Sequence, residues 1–180
     1  SAGSTANTAQ DDASTTAQHS DGLSHALNTS ERSIANNPYE TAYVFDRAGN
    51  PIMEKTGLQH EVSFTDAETG KLKGAVLTHN HPHNVSFSRA DVQTHIQHEI
   101  GEIRAVTGDH RYSLSVPPDT KWTPKLESHI QTRYNGMLSQ AKADVAAGKR
   151  TVKDVNRNLH HELWTDIAKE QGWNYAREEW

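Results

Sequence analysis

The chain holds 180 residues with 23 acidic against 18 basic side chains, a formal charge of −5, and no cysteine. This excludes a disulfide framework and any thiolate metal site, so a metal would have to rest on His, Asp or Glu. The acidic balance argues against a nucleic-acid partner, which a basic patch would mark, and no apolar run is long enough to cross a bilayer.

Residues 1–30 are rich in Ser, Thr, Ala, Asn, Gln and Asp and poor in large apolar side chains. Such composition cannot offset chain entropy by burial, which predicts a disordered linker ahead of one domain over 31–180. The start lacks the charged-then-apolar form of a signal peptide. A linker without an obvious beginning points to the C-terminal piece of a longer protein. Residues 31–37 read as a short helix before Pro38. Residues 41–46 (Thr-Ala-Tyr-Val-Phe-Asp) read as a strand, Arg47-Ala48-Gly49-Asn50 as its turn, and 51–56 as the returning strand. A third strand is expected over 61–65, then a polar connection with one helical turn over 66–70. The apolar run Gly74-Ala75-Val76-Leu77 predicts the next strand, over 74–78, and Val92, Ile96 and Ile100 predict a helix over 89–100. A hairpin follows, 103–107 with 112–116, turning at Gly108-Asp109.

Beyond the loop bracketed by Pro117-Pro118 and Pro124 come two helical patterns. Leu126, Ile130, Tyr134, Met137, Ala141 and Val145 carry the first; Val152, Val155, Leu159, Leu163 and Ile167 carry the second. Gly148 and Gly172 are their expected ends, and 173–180 a last strand. Core or edge packing is the ordinary role for Trp164 and Trp180. The expected fold is α/β (α+β): a mixed central sheet flanked by helices, with a C-terminal helical extension from about residue 124.

The stretch that carries chemistry is Leu77-Thr78-His79-Asn80-His81-Pro82, followed by Ser88-Arg89-Ala90-Asp91. Residues two apart in a strand face the same side, so His79 and His81 can offer imidazoles to one metal ion. Pro82 stops the strand, Ser88 is a good N-cap, and Asp91 at the third helical position can turn back toward the histidines. Two His and one Asp with room for water are a donor set that suits catalytic zinc. Twelve histidines make a chance His-x-His pair ordinary, and Ser-x-x-Asp alone is a capping box. The joint order of strand, His-x-His-Pro, short loop, Ser-x-x-Asp and helix is what points to a site.

This combination resembles the JAMM (MPN-plus, or JAB) metallopeptidases, whose pattern is a distant Glu, His-x-His-Pro and Ser-x-x-Asp. The likeness covers about residues 38–116. It implies an MPN-like fold, Zn²⁺ held by His79, His81 and Asp91, and an oxyanion role for Ser88. Asn80 stands where eukaryotic members usually carry Ser or Thr, and the loop before Ser88 is one residue shorter than usual. Asn80 looks more like the bacterial RadC-type and toxin-associated branches, and the shorter loop is a departure that bears on the position of Ser88. Resemblance to domains of bacterial polymorphic toxins and phage head-associated proteins further implies a secreted or delivered effector. Such an effector rides a carrier protein, meets a cognate immunity protein and acts in a recipient cell's cytoplasm.

The family's upstream Glu acts as the proton shuttle, and Glu40, Glu54 and Glu61 are the candidates. Glu40 is favoured because it leads into an apolar strand, where an antiparallel neighbour would bring it beside the histidines. Among the remaining histidines, His83 could line the site's mouth and His95 could brace Asp91. For these, as for His98, His160 and His161, surface or packing roles are the ordinary ones. His160-His161-Glu162 is not an HExxH motif. The expected activity is zinc-dependent cleavage of a peptide or isopeptide bond in a protein substrate. Its rivals are a metal-dependent nuclease or phosphodiesterase and a non-catalytic MPN-like interaction module.

Overall fold

A computed structural model describes residues 19–57 and 63–180. Strands β1 (Thr41–Phe45) and β2 (Pro51–Thr56) form the first hairpin. After a single-turn helix, α2 (Asp66–Thr69), come β3 (Val76–Asn80), helix α3 (Arg89–Gln97) and β4 (Glu102–Val106). Strand β5 (His110–Ser115) leads into two long helices, α4 (Pro124–Ala146) and α5 (Val152–Gln171), and β6 (Asn174–Glu179) closes the chain. The six strands make one sheet in the order β2-β1-β3-β4-β5-β6. Only β3 and β4 run parallel, joined by α3 as a crossover; the other pairs are antiparallel. The mixed sheet with flanking helices agrees with the expected fold class.

Alternation along the strands divides the sheet into two faces. Val44, Leu77, Ile103, Ala105, Tyr112 and Leu114 point to the face covered by α3, α4 and α5. They join Val92, Ile96, Ile130, Leu163, Trp164 and Ile167 in the main core. Phe45, Val76 and Val106 point the other way, against Leu23, Leu27 and Ile34. Those last three belong to a helix, α1 (Asp21–Ile34).

Helix α1 corrects the reading of residues 1–30 as disordered linker; residues 1–18 lie outside the described residues. Leu23 and Leu27 are one helical turn apart and almost wholly buried, a narrow apolar stripe hidden by polar neighbours. Ser20 caps the helix, its hydroxyl accepting from the Leu23 amide at 3.2 Å. The first turn lies directly on the β1–β2 turn. A Cβ on Gly22 would stand 2.4 Å from the Ala48 carbonyl oxygen, so only glycine admits this approach. A buried ion pair adds to the stripe. Glu31, with no exposed surface, accepts from Arg104 Nε at 2.7 Å and from its terminal nitrogen at 3.0 Å, and from the Thr78 hydroxyl at 2.7 Å.

The strand expected over 61–65 is a second correction. Its described part, 63–65, is not a strand, because Thr65 is the N-cap of α2 in a reciprocal capping box with Glu68. Glu61 lies outside the described residues.

Candidate metal centre

Strand β3 ends at the site. His79 is its fourth residue, and His81 continues the extended path, its amide donating to the Val106 carbonyl at 2.8 Å. The alternation that buries Leu77 in the α3 face sends His79 and His81 to that face as well. Opposite them, α3 begins. Asp91 N–H donates to Ser88 Oγ at 3.1 Å, and Ser88 N–H donates to Asp91 Oδ2 at 2.8 Å. This capping box fixes the carboxylate over the strand end.

The three side chains converge. His79 Nε2 and His81 Nε2 are 2.8 Å apart; Asp91 Oδ1 is 3.6 Å from the first and Oδ2 3.2 Å from the second. Around a tetrahedral ion with bonds of roughly 2.0–2.1 Å, donor atoms stand roughly 3.3 Å apart. The observed spacings bracket that value. Both imidazoles are buried, and Asp91 keeps about a quarter of its surface.

The electrostatics favour a cation at the centre. Burial pushes the Asp91 carboxyl up, but the His79 and His81 imidazoles outweigh it and hold it well below its usual range. Burial pushes His81 down, yet contact with Asp91 overrides this and raises it to about 8. A bound metal would supply that positive charge without a proton. The His81 ring is already oriented for it: Nδ1 lies 2.8 Å from the Val85 carbonyl oxygen, so a proton donated there leaves the Nε2 lone pair facing inward. His79 Nδ1 is buried with no hydrogen-bond partner among the described residues. The His79–His81–Asp91 triad can therefore hold a metal ion.

Glu40 lies beside the triad. Ala42 stands opposite His79 in the β1–β3 ladder, and the same register carried two residues outward sets Glu40 opposite His81. Glu40 borders both cavities that flank the triad, one of about 190 Å³ and one of about 230 Å³. Glu54 does not reach the site. It pairs with Tyr43 on the edge strand and lines a groove beside α1. Asn80, between the two histidines, points to the other face and is wholly buried. Its carboxamide donates to the carbonyls of Asn37 (3.1 Å) and Tyr39 (2.8 Å) and accepts from the Thr41 amide (2.6 Å). Those partners bracket Glu40 on both sides.

Other histidines divide. His83 lines the smaller cavity. His95 is wholly buried, and neither ring nitrogen has a partner among the described residues, so it does not brace Asp91 by a hydrogen bond. His160, set aside in the sequence as a surface or packing residue, packs on Tyr134 and also lines the cavity that holds Glu40, His81 and Asp91. Burial, with the nearby His81 charge, lowers its pKa. It lies next to Leu159 of the core stripe, but which flank of α5 meets the strand end depends on docking, which local pattern does not encode.

Helix α5 also steadies the loop before Ser88. Trp164 is buried and donates its indole N–H to the Phe87 carbonyl at 2.7 Å, the core role expected for it. Trp180 keeps 38% of its surface, packed against Arg32 and Arg111. Among the described residues no helix is long and apolar enough to cross a membrane. Comparison with protein-family models, curated proteins and solved structures returns no match.

Proposed function

We propose that this chain is a zinc-dependent hydrolase of JAMM type that cleaves a peptide or isopeptide bond. We propose further that it serves as a secreted or delivered effector domain carried by a larger protein. One observation carries the hydrolase reading: a carboxylate just before the neighbouring strand β1, Glu40, borders the same cavities as a convergent His-His-Asp triad. The effector role, with a carrier, an immunity protein and a recipient cytoplasm, is supported by the resemblance of the His79–Asp91 stretch.

In this reading His79, His81 and Asp91 hold the ion. When bound, the metal supplies Lewis acidity, polarising a carbonyl oxygen and acidifying water. Glu40 takes a proton from the attacking water as its oxygen bonds to the carbonyl carbon. It then delivers that proton to the leaving amine nitrogen as the C–N bond breaks. Ser88 Oγ already accepts from the Asp91 amide, which leaves its own hydrogen to donate to the carbonyl oxygen as negative charge builds there.

The test joins zinc quantification to digestion of an unfolded protein and an isopeptide-linked conjugate. The wild type should carry about one zinc per chain and cleave at least one substrate. His79→Ala with His81→Ala, and Asp91→Ala, should lose both metal and activity. Glu40→Gln should keep the zinc and lose roughly 10²–10⁴-fold in turnover, because an amide accepts no proton at neutral pH. Unchanged metal content in the double histidine variant, or DNA cleavage that depends on His79, would overturn the reading.

A further inference from the structure

The triad stands between two cavities with different linings. Glu40, Ser88 and Asp91 border both, whereas His79 faces one and His81 the other. On the His81 side the walls are Pro82, His83, Val85, Ser86 and His160. On the His79 side the walls are Ala42, Phe64, Leu77, Ala90, Thr94 and Ile103. Register and helix pitch create this second chamber. Ala42 lies opposite His79 on β1, Leu77 is two residues before it on the same face, and Ile103 is paired with Leu77 on β4. Ala90 and Thr94, four apart on α3, close the opposite wall.

We infer that the chamber lined by Ala42, Phe64, Leu77, Ala90, Thr94 and Ile103 binds a compact apolar side chain (Leu, Ile, Met or Phe) of the residue next to the scissile bond. This rests on the hydrolase reading for the bond, and on the chamber's own chemistry for the side chain. At about 230 Å³ it has room for one side chain rather than a larger ligand. Apart from the triad, Glu40 and Ser88, its walls offer carbon and a single hydroxyl, so a charged group seated against them would be desolvated without a partner. An apolar one gains free energy in proportion to the surface it hides. The chamber is continuous with the metal centre, so a group seated in it holds the adjoining carbonyl near His79.

Two measurements test this, and they fail separately. In the first, metal-loaded protein is titrated calorimetrically with acetohydroxamic acid and with isovalerohydroxamic acid, which differ only in an added isopropyl group. The branched probe should bind at least about tenfold more tightly. Ala90→Trp should erase the difference, because Ala90 is exposed at the start of α3 and an indole there covers the chamber mouth without disturbing the core. Phe64→Ala, which widens the chamber, should shift preference toward a phenyl-bearing hydroxamate. Equal affinity for the first two probes in the wild type, or a preference unmoved in both variants, would overturn the inference.

The second measurement maps cleavage sites in a random peptide library. One position flanking the bond should be enriched for Leu, Ile, Met and Phe over Gly, Asp and Lys, and Ala90→Trp should lose that enrichment. Cleavage with no apolar preference at either flanking position refutes the chamber's role and leaves the hydrolase reading standing. A probe preference in a protein that cuts no peptide supports the chamber and removes the peptidase.

Discussion

Asn80 shows how one residue can serve the site without touching its chemistry. Its two neighbours face the metal centre, so the strand's alternation sends its carboxamide to the other face, toward the segment that leads into β1. There it bonds backbone at 37, 39 and 41 and leaves residue 40 bracketed. In the proposed reaction a displaced Glu40 would miss the water it is to deprotonate, and a misplacement of about 1 Å can cost roughly 10²-fold. Asn80→Asp keeps the acceptor for the Thr41 amide and loses both donors. Under the proposed function this variant should bind zinc as the wild type does and keep its KM while kcat falls by roughly 10–10²-fold. Zinc content, a KM-against-kcat split and the melting temperature, measured together, check this. A variant with a lower melting temperature but wild-type kcat would assign Asn80 to stability alone.

At the scale of elements, α1 carries the clearest lesson. Its docking joins a two-leucine stripe to the buried Glu31–Arg104 pair. Removing Glu31 leaves buried Arg104 with Glu102 alone, 3.1 Å away, and breaking a buried pair costs up to about 3–5 kcal/mol. Glu31→Leu should therefore lower stability by about that amount in urea unfolding. It should also open Arg32, exposed but helical, to trypsin, which the folded wild type resists. Rapid wild-type cleavage at Arg32 would show that α1 does not hold to the sheet. The helix was hidden in the sequence because composition averages over a window. Two leucines among serines, asparagines and aspartate read as linker, and the charge that docks them waits 73 residues away at Arg104. The β3–α3 unit was legible for the opposite reason. Strand alternation, a stop at Pro82 and the Ser88–Asp91 capping box are local rules, and together they place three ligands. Glu40 lies between these cases: its strand was readable, but its place beside His81 depends on the β1–β3 register. His160 arrives from a helix whose rotation on the sheet no local pattern fixes.

For the molecule as a whole, the two-faced sheet buries titratable groups on both sides, and outside the triad His95, His161 and Glu102 shift the same way. On the face that carries His79 and His81, His95 has no exposed surface. Burial pushes it down to about 4, outweighing the pull of Glu102. Its place in the last turn of α3 would favour a charge, but a helix-end interaction of about 0.3–1 kcal/mol is too small to compensate for desolvation. His161, beside Tyr175, is likewise lowered to about 4, chiefly by burial. Across the sheet, burial raises Glu102, but its bond to His19 and the Arg104 charge together bring it below its ordinary value.

Each folded-state pKa is depressed, so in acid the unfolded chain binds more protons than the folded one. The histidine contributions are whole above their ordinary value of about 6.5 and are lost as pH falls toward about 4. Glu102 adds to the loss below its ordinary value of 4.5. For His95 the gap of about 2.5 units corresponds to on the order of 3 kcal/mol. Urea midpoints measured from pH 6.5 to pH 4 should therefore fall steadily. Metal release from His79 and His81 in acid would add to that fall, so the wild type alone does not isolate His95. His95→Leu does: it keeps the ligands and removes the buried imidazole, so its midpoint should fall less between pH 6.5 and pH 4. Parallel curves for the two proteins would show that His95 takes up its proton in the folded state as readily as in the unfolded one.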